Sequence, residues 1–211
     1  AMMQDGAAYS YTYDKRGSLT EEKKADSLIC QYVYDAAGRM VTGKDPLSGT
    51  QTDYTYNALY MRVGNTVTCP GADIPDVREI TYVPDCLSAA NNDLMVYKGA
   101  SATRAVYGRT HERLGYTTAA GQVYEMPDLW GSPLYTTDAQ GNTTWYPEHD
   151  IWGHTAVQPT PETDPALRFT SYTYDPVISK YFAQERFYDP ARGRMLAPDP
   201  VKRSLNPYPY C

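Results

Sequence analysis

Short stretches of alternating apolar and polar residues run along this chain, and turn-forming residues interrupt them at regular intervals. In a stretch such as Tyr11-Thr-Tyr13, two rings lie on one face of an extended strand, because side chains point alternately to its two sides. The 15 Gly and 16 Pro residues fall at about one position in seven, which disfavours long helices. The pattern predicts short strands joined by tight turns.

One phrase, Tyr-x-Tyr followed by Asp or Asn, recurs along the chain, and its second tyrosines in the first three units stand 21 and 22 residues apart. Asp or Asn favours a turn, and Gly17 and Gly38 accept the positive φ that such a turn needs. Each unit is therefore predicted to be a β-hairpin of about 20 residues, and successive hairpins must lie side by side to bury a face. The full or shortened phrase occurs at Tyr11–Asp14, Tyr32–Asp35, Tyr54–Asn57, Tyr172–Asp175 and Phe187–Asp189.

The middle of the chain keeps the same pattern with other residues. Hairpins are predicted from residues 134–137 with 143–146 and from 103–107 with 114–117, followed by a strand at 122–125. Residues 65–80 are less regular, and a loop is predicted at 69–71 and 75–76. A loop or linker is predicted at 156–166, which holds three prolines, and Asp85–Met95 is the one segment where a short helix is considered.

Charge and hydropathy exclude several classes of protein. A formal net charge of −6 argues against a nucleic-acid binder, because phosphate binding relies on clustered Lys and Arg. No apolar run approaches the roughly 20 residues of a membrane-spanning helix. The first residues, Ala-Met-Met-Gln-Asp-Gly, do not have the form of a signal peptide, and an Ala before Met-Met indicates a fragment of a longer protein.

The cysteine and histidine positions do not predict a metal or cofactor site. No two cysteines have Cys-x-x-Cys spacing, so we expect no structural zinc and no cofactor. A disulfide between Cys69 and Cys86 stays open as an alternative to free, partly buried thiols. The histidines are interpreted as solvated turn residues rather than as a metal or acid–base site. The four cysteines are Cys30, Cys69, Cys86 and Cys211, and the three histidines are His111, His149 and His154.

The Tyr-Asp repeats resemble those of the Rhs/YD-repeat family, which includes bacterial Rhs polymorphic toxins, the C components of Tc toxins and animal teneurins. Asp128–Asn142 resembles the family's Asp-x-x-Gly-Ser-Pro segment and the hairpin after it, and Asp150–Gly153 resembles a second short family segment. Phe169–Pro200 is similar to the Rhs repeat-associated core, and Asn206–Tyr210 stands where the family has an Asn-x-Tyr-x-Tyr stretch.

This resemblance implies an all-β fold. Consecutive antiparallel β-hairpins would form a curled or spiral sheet that is part of a β-cocoon shell. Residues 1–64 would form three YD repeats, residues 65–155 further hairpins of the shell, and residues 156–211 the core. These regions are expected to form one continuous β structure within a longer protein.

The resemblance also implies a role and a partner. The shell would encapsulate a C-terminal toxin domain of the same polypeptide, and the parent would be a secreted or cell-surface bacterial protein of interbacterial competition. This fragment is expected to be too short to enclose a cargo, and the family's cut site and toxin would lie beyond Cys211. Unpaired strands at the sheet edges would favour self-association.

In this family the core acts as an aspartic self-protease. Two carboxylates are needed, one ionised to activate water and one protonated to polarise the scissile carbonyl. The candidates are Asp189 and Asp199, with Arg186 and Arg194 as possible charge partners. The alternative, favoured for the two arginines, is that they pair with surface carboxylates. The simpler interpretation is that an Asp before Pro only begins a turn, and the fragment itself is expected to be inactive.

A third function is a carbohydrate-binding or cell-surface-binding β module. Aromatic side chains stack on sugars, so Trp130, Trp145 and Trp152 would line an exposed groove. Cross-strand aromatic ladders that hold the sheet together explain the tyrosines more simply.

Overall fold

The computed structural model describes residues 2–4, 7–71, 76–86, 93–108, 113–145, 149–154, 168–199, 206 and 208. Over these residues the chain is built from β-strands, and its one helical element is the single 3-10 turn Phe169–Ser171. The described part contains no helix that is long and apolar enough to cross a membrane.

Fourteen strands of the described chain form one sheet in which every strand pairs with its neighbour in sequence. All of these pairings are antiparallel. The strands are β1 (Met2–Gln4), β2 (Ala7–Tyr13), β3 (Leu19–Lys24), β4 (Ser27–Tyr34), β5 (Met40–Lys44), β6 (Gln51–Tyr56), β7 (Arg62–Cys69), β8 (Asp76–Pro84), β9 (Asp93–Lys98), β10 (Ser101–Tyr107), β11 (Arg113–Thr118), β12 (Gly121–Pro127), β13 (Pro133–Thr137) and β14 (Thr143–Trp145).

A second sheet of four short strands follows, again antiparallel and in chain order. It contains β15 (Thr173–Asp175), β16 (Lys180–Ala183), β17 (Arg186–Asp189) and β18 (Arg194–Met195). It lies within the region predicted from sequence to be the core, and "core sheet" denotes it below. The consecutive hairpins predicted from the repeats are thus confirmed.

The Asp of the repeat phrase forms the turn of each hairpin. Asp14 Oδ1 accepts hydrogen bonds from the backbone N–H of Arg16 at 2.9 Å and of Ser18 at 2.8 Å. Gly17 follows with φ of +91°, a conformation that costs glycine little. In the third unit Tyr60 takes that conformation at φ +66°, which explains how this hairpin closes without a glycine. The same Asx contacts recur at Asp35, Asn57, Asp128, Asp138 and Asp150.

The core sheet packs on one face of the long sheet and buries the tyrosines of the second and third repeats. Tyr32 and Tyr54 belong to one apolar cluster with Phe182 and Phe187 of the core sheet. The Tyr54 and Phe187 ring centroids are 4.9 Å apart. In the first repeat, Tyr11 is half-buried and packs against the same cluster, whereas Tyr13 remains 40% exposed.

Three local predictions need correction or limitation. The short helix considered over Asp85–Met95 is wrong at its C-terminal end, because residues 93–95 lie in β9, while residues 87–92 lie outside the described part. Those residues pair with β8 and β10, and such long-range pairing overrides local helix preference. The stretch 65–80 is mostly strand. The loop predicted at 69–71 and 75–76 is wrong at Cys69, which ends β7, and at Asp76, which begins β8, because these residues pair across the two strands, whereas residues 70–71 lie outside both strands. The 156–166 linker prediction lies outside the described residues.

Candidate functional site

Asp189, the first of the two predicted catalytic aspartates, is fully buried at the end of β17. Its Oδ1 atom accepts a hydrogen bond from the backbone N–H of Ala191 at 3.0 Å and lies 3.3 Å from Lys180 Nζ. Its Oδ2 atom accepts a hydrogen bond from Arg192 Nε. The turn predicted for an Asp before Pro is therefore present, and the same carboxylate also pairs with two cations.

A fourth charge joins this group from the long sheet. Glu22 of β3 is buried, and its Oε1 atom lies 3.4 Å from Lys180 Nζ and 3.7 Å from an Arg192 guanidinium nitrogen. The Tyr32 hydroxyl donates a hydrogen bond to the same oxygen at 2.8 Å. We call Glu22, Lys180, Asp189 and Arg192 the ionic junction. It links the two sheets with two negative and two positive charges, and buried charges require such pairing.

The surroundings of the ionic junction fix its protonation state. Burial alone would raise the pKa of Asp189, but Lys180 and Arg192 outweigh burial and hold that pKa below its ordinary value. Burial would likewise lower the pKa of Lys180, but Asp189 and Glu22 raise it above its usual range. Asp189 is therefore ionised at neutral pH, as required of the carboxylate that activates water.

Asp199, the second predicted aspartate, lies in a different environment. Its side chain is 27% exposed, and its Oδ2 atom is 3.8 Å from an Arg186 guanidinium nitrogen. Arg194 pairs in register with Asp189 across β17 and β18, and its guanidinium lies 4.3 Å from the centroid of the Tyr208 ring. The structure thus brings Arg186 to Asp199, whereas the cations in contact with Asp189 are Lys180 and Arg192.

Asp175 is, besides Glu22, a buried carboxyl group that the sequence reasoning missed. Asp175, the last residue of the fourth repeat phrase, is 4% exposed, and its Oδ2 atom accepts a hydrogen bond from the Tyr54 hydroxyl at 2.7 Å. Burial raises the pKa of Asp175 above its ordinary value, although hydrogen bonds from Tyr54 and from the backbone of Val177 oppose the rise. The repeat phrase was the available signal, but it predicted only a turn.

The described residues contain no group of three or more His, Cys, Asp or Glu side chains that could hold a metal ion. Cys30, Cys69 and Cys86 are free thiols, while Cys211 and His111 lie outside the described part. The ring of His149 lies 5.5 Å from that of Phe169, and His154 is exposed.

Two of the three predicted aromatic ligand-binding residues are described with their side chains. Trp130 is 79% exposed and Trp152 is 49% exposed. The side chain of Trp145 lies outside the described part of the structure. These two exposed rings are accessible for stacking.

No family model matches the chain. Among curated proteins, it is 25% identical over 236 residues to "Toxin protein Tse5" of Pseudomonas aeruginosa, a match that covers 97% of this chain and 18% of that protein. It is 22% identical over 223 residues to "Double-stranded DNA deaminase toxin A" of Burkholderia cenocepacia, with 90% of this chain and 15% of that protein covered. It is also 25% identical over 196 residues to "tRNA nuclease WapA" of Bacillus subtilis, with 91% of this chain and 7% of that protein covered.

Among solved structures, the chain superposes on the TcdB2-TccC3 complex that lacks the hypervariable C-terminal region, with a TM-score of 0.66 and 17% identity. That match covers 96% of this chain and 12% of the other. The TcdB2-TccC3-TEV complex gives a TM-score of 0.67 at 16% identity, and at these identities the likeness concerns the fold. The chain thus spans less than a fifth of the length of each of these relatives, with the TcdB2-TccC3 chain that lacks the hypervariable region included. These relatives, together with the Tyr-x-Tyr-Asp hairpins and the attached core sheet, match the Rhs/YD-repeat family.

Proposed function

We propose that the chain is a segment of the shell of an Rhs/YD-repeat toxin. In the intact parent, this shell encapsulates and delivers a C-terminal effector, and the parent is a secreted or surface-delivered bacterial protein. The observation that carries the proposal is that the core sheet is attached to one face of the long hairpin sheet, through an apolar cluster and the ionic junction. Similarity to curated toxins along most of this chain supports the toxin association.

The architecture suits a wall better than a self-contained binding domain. Each described strand of the long sheet pairs with its sequence neighbours, so the sheet can be lengthened at an end without disturbing existing pairs. The core sheet contacts the face of this wall through Leu19, Tyr32 and Tyr54. It thereby closes part of one side of the sheet.

Protease protection tests the shell proposal. The complete reading frame that encodes this chain would be expressed and treated with a broad protease under native conditions and after mild denaturation. If the proposal is right, the region after the core survives native digestion and is cut once the shell is opened. Equal cleavage rates in the two conditions would refute encapsulation.

We further propose that the core supports autoproteolytic release in the parent, with Asp189 as the ionised carboxylate, Asp199 as the second carboxylate and Arg186 as its charge partner. In the complete reading frame, Asp199→Asn should abolish a self-cleavage seen as two bands on a gel. Asp26→Asn, in an exposed turn, is the matched control and should cleave normally. An uncut parent, or cleavage that survives Asp199→Asn, would refute this assignment.

The exposure of Trp130 and Trp152 favours one second candidate, a carbohydrate-binding or cell-surface-binding module. Exposed indole rings stack on sugar faces. If this function is correct, the chain binds a glycan array and Trp130→Ala with Trp152→Ala removes the signal. Equal signals from both proteins would exclude these rings as the binding surface.

A further inference from the structure

A cleft of about 720 Å³ lies between the core sheet and the face of β7, β8 and β9. One wall is formed by the turn after β15, including Pro176 and Val177, and the floor includes Val67, Ile80 and Val96. Most of this lining is apolar. The cleft is separate from the ionic junction and from Asp199, none of whose residues lines it.

Arg62 lies in this cleft in an unusual environment. Its side chain is 4% exposed, and its guanidinium carbon is 4.2 Å from the centroid of the Tyr82 ring and 4.0 Å from that of Phe182. The guanidinium thus packs against two aromatic rings, and its N–H edge is the part that can form hydrogen bonds. Yet its buried Nη2 atom has no hydrogen-bond partner among the described residues. A buried donor without a partner is costly to keep from water, and more so when it is charged, so a hydrogen-bonding group at this position would be favoured.

A second unpartnered polar atom stands in the same cleft. Asn65 is 6% exposed, and its Nδ2 donates to Thr52 Oγ1 at 3.3 Å, whereas its Oδ1 has no partner among the described residues. The cleft therefore offers a charged donor and a neutral acceptor at once. An occupant that satisfied both would carry an anionic group and an N–H or O–H group.

The charges around the cleft favour an anion, although the whole chain carries a net charge of −6. Four cations line it against two carboxylates; Asp175 accepts a hydrogen bond from Tyr54, and one of the cations, Arg78, is already paired with Asp76. Low-dielectric walls strengthen the attraction of such a group of cations. The cations are Arg62, Arg78, Lys98 and Arg168, and the second carboxylate is Glu79.

We infer that this cleft binds a peptide segment through an acidic side chain, with Arg62 bonding the carboxylate and Asn65 Oδ1 accepting a peptide N–H. A guanidinium edge matches the two oxygens of a carboxylate. The apolar floor suits aliphatic neighbours of the acidic residue. Two rings already pack against Arg62 and leave little room for a nucleotide base to stack there, and the phosphate group of a phosphate monoester dianion carries no N–H or O–H donor for Asn65 Oδ1. The inference does not rest on the shell role, since it is argued only from the residues that line this cleft.

Titration by NMR tests the inference. The probe is the capped peptide acetyl-Val-Asp-Val-amide, followed through the Nε–H signals of the arginines in ¹⁵N-labelled protein. We expect a saturable shift of the Arg62 signal with a dissociation constant of about 1 mM, which corresponds to about −4 kcal/mol. The peptide with Asn in place of Asp should bind at least about tenfold more weakly, because the charge-assisted bonds are lost.

Two variants make the assignment specific. Arg62→Met keeps an unbranched side chain between the two rings and removes the charge, so binding followed on backbone amides should be lost. Should that variant fail to fold, Asn65→Asp puts a negative charge on the cleft floor and should also weaken binding strongly. Arg16→Met, at an exposed turn outside the cleft, is the control and should bind as the parent does.

Several outcomes would overturn the inference. Equal affinity for the Asp and Asn peptides would show that the carboxylate is not recognised. Binding of inorganic phosphate without binding of the peptide would identify a small-anion site instead. An Arg62 signal that does not shift up to about 10 mM peptide, which is about ten times the expected dissociation constant, would mean that the cleft does not bind an acidic peptide.

Discussion

Replacing Lys180 with methionine would test whether the ionic junction holds the two sheets together. Lys180 Nζ lies 3.4 Å from Glu22 Oε1 and 3.3 Å from Asp189 Oδ1, and the lysine is 5% exposed. Methionine keeps most of the apolar stem and removes only the charge. Two carboxylates then face the single guanidinium of Arg192 in a buried site.

The expected loss follows from that imbalance. Removing one partner of a buried ion pair costs about 3–5 kcal/mol, because the remaining charge stays buried without compensation. The double variant Lys180→Met, Glu22→Gln restores neutrality and leaves the Asp189–Arg192 pair in place. Its loss should be smaller than the sum of the two single losses by about 1–3 kcal/mol.

Urea denaturation at pH 7, followed by tryptophan fluorescence and circular dichroism, measures the free energies of unfolding. Lys23→Met is the matched control on the same strand as Glu22, because Lys23 Nζ is 3.7 Å from Glu21 with 40% of its side chain exposed. It should change the stability by less than about 1 kcal/mol. Additive losses in the double variant, or a Lys180→Met loss no larger than that of the control, would refute the reasoning.

Three further predictions follow from packing and titration. Gly43→Ala should destabilise the fold by about 1–3 kcal/mol in thermal unfolding, because the new Cβ would lie 2.7 Å from Ile178 Cγ2. The double variant Gly43→Ala, Ile178→Ala should lose less stability than the sum of the two single losses, because the smaller side chain removes the clash. Burial raises the pKa of Cys30 to about 11, so iodoacetamide at pH 8 should label exposed Cys86 in the native protein and Cys30 only after unfolding, and native labelling of Cys30 would contradict this. Burial raises the pKa of Asp93 to about 6. Its contribution to stability is therefore full below the unfolded-state pKa near 4 and is lost as the pH rises through about 6. Asp93→Asn should remove this loss, and a free energy of unfolding in urea that falls between about pH 4 and 7 as steeply as in the parent would contradict the prediction.

The hairpins could be predicted from sequence because each one is fixed locally. Asp14, Asp35 and Asn57 bond to backbone groups two and four residues ahead, so a short window of sequence contains the whole interaction. The positive φ of Tyr60 shows the limit of that reasoning. A bulky residue takes the place that glycine fills elsewhere, once the flanking strands fix the turn.

The candidate site was predictable only in part. Asp189 and Asp199 were named from their motifs, and the structure places an Arg186 guanidinium nitrogen 3.8 Å from Asp199 Oδ2. The contact from Glu22 to Lys180 joins residues far apart in sequence, and Tyr54 and Asp175 are separated by 121 positions. No periodicity in the sequence encodes which strand of the long sheet the core sheet will cover. That choice depends on tertiary packing.

The neighbour-to-neighbour strand order of the long sheet has a consequence for how the chain is made. Each new hairpin needs only the one before it as a template, so assembly can proceed from the N-terminus while translation continues. The core sheet instead contacts strands made more than a hundred residues earlier, as the Tyr54–Asp175 bond shows. A polypeptide of this design would complete its long sheet first and dock the core sheet onto it last.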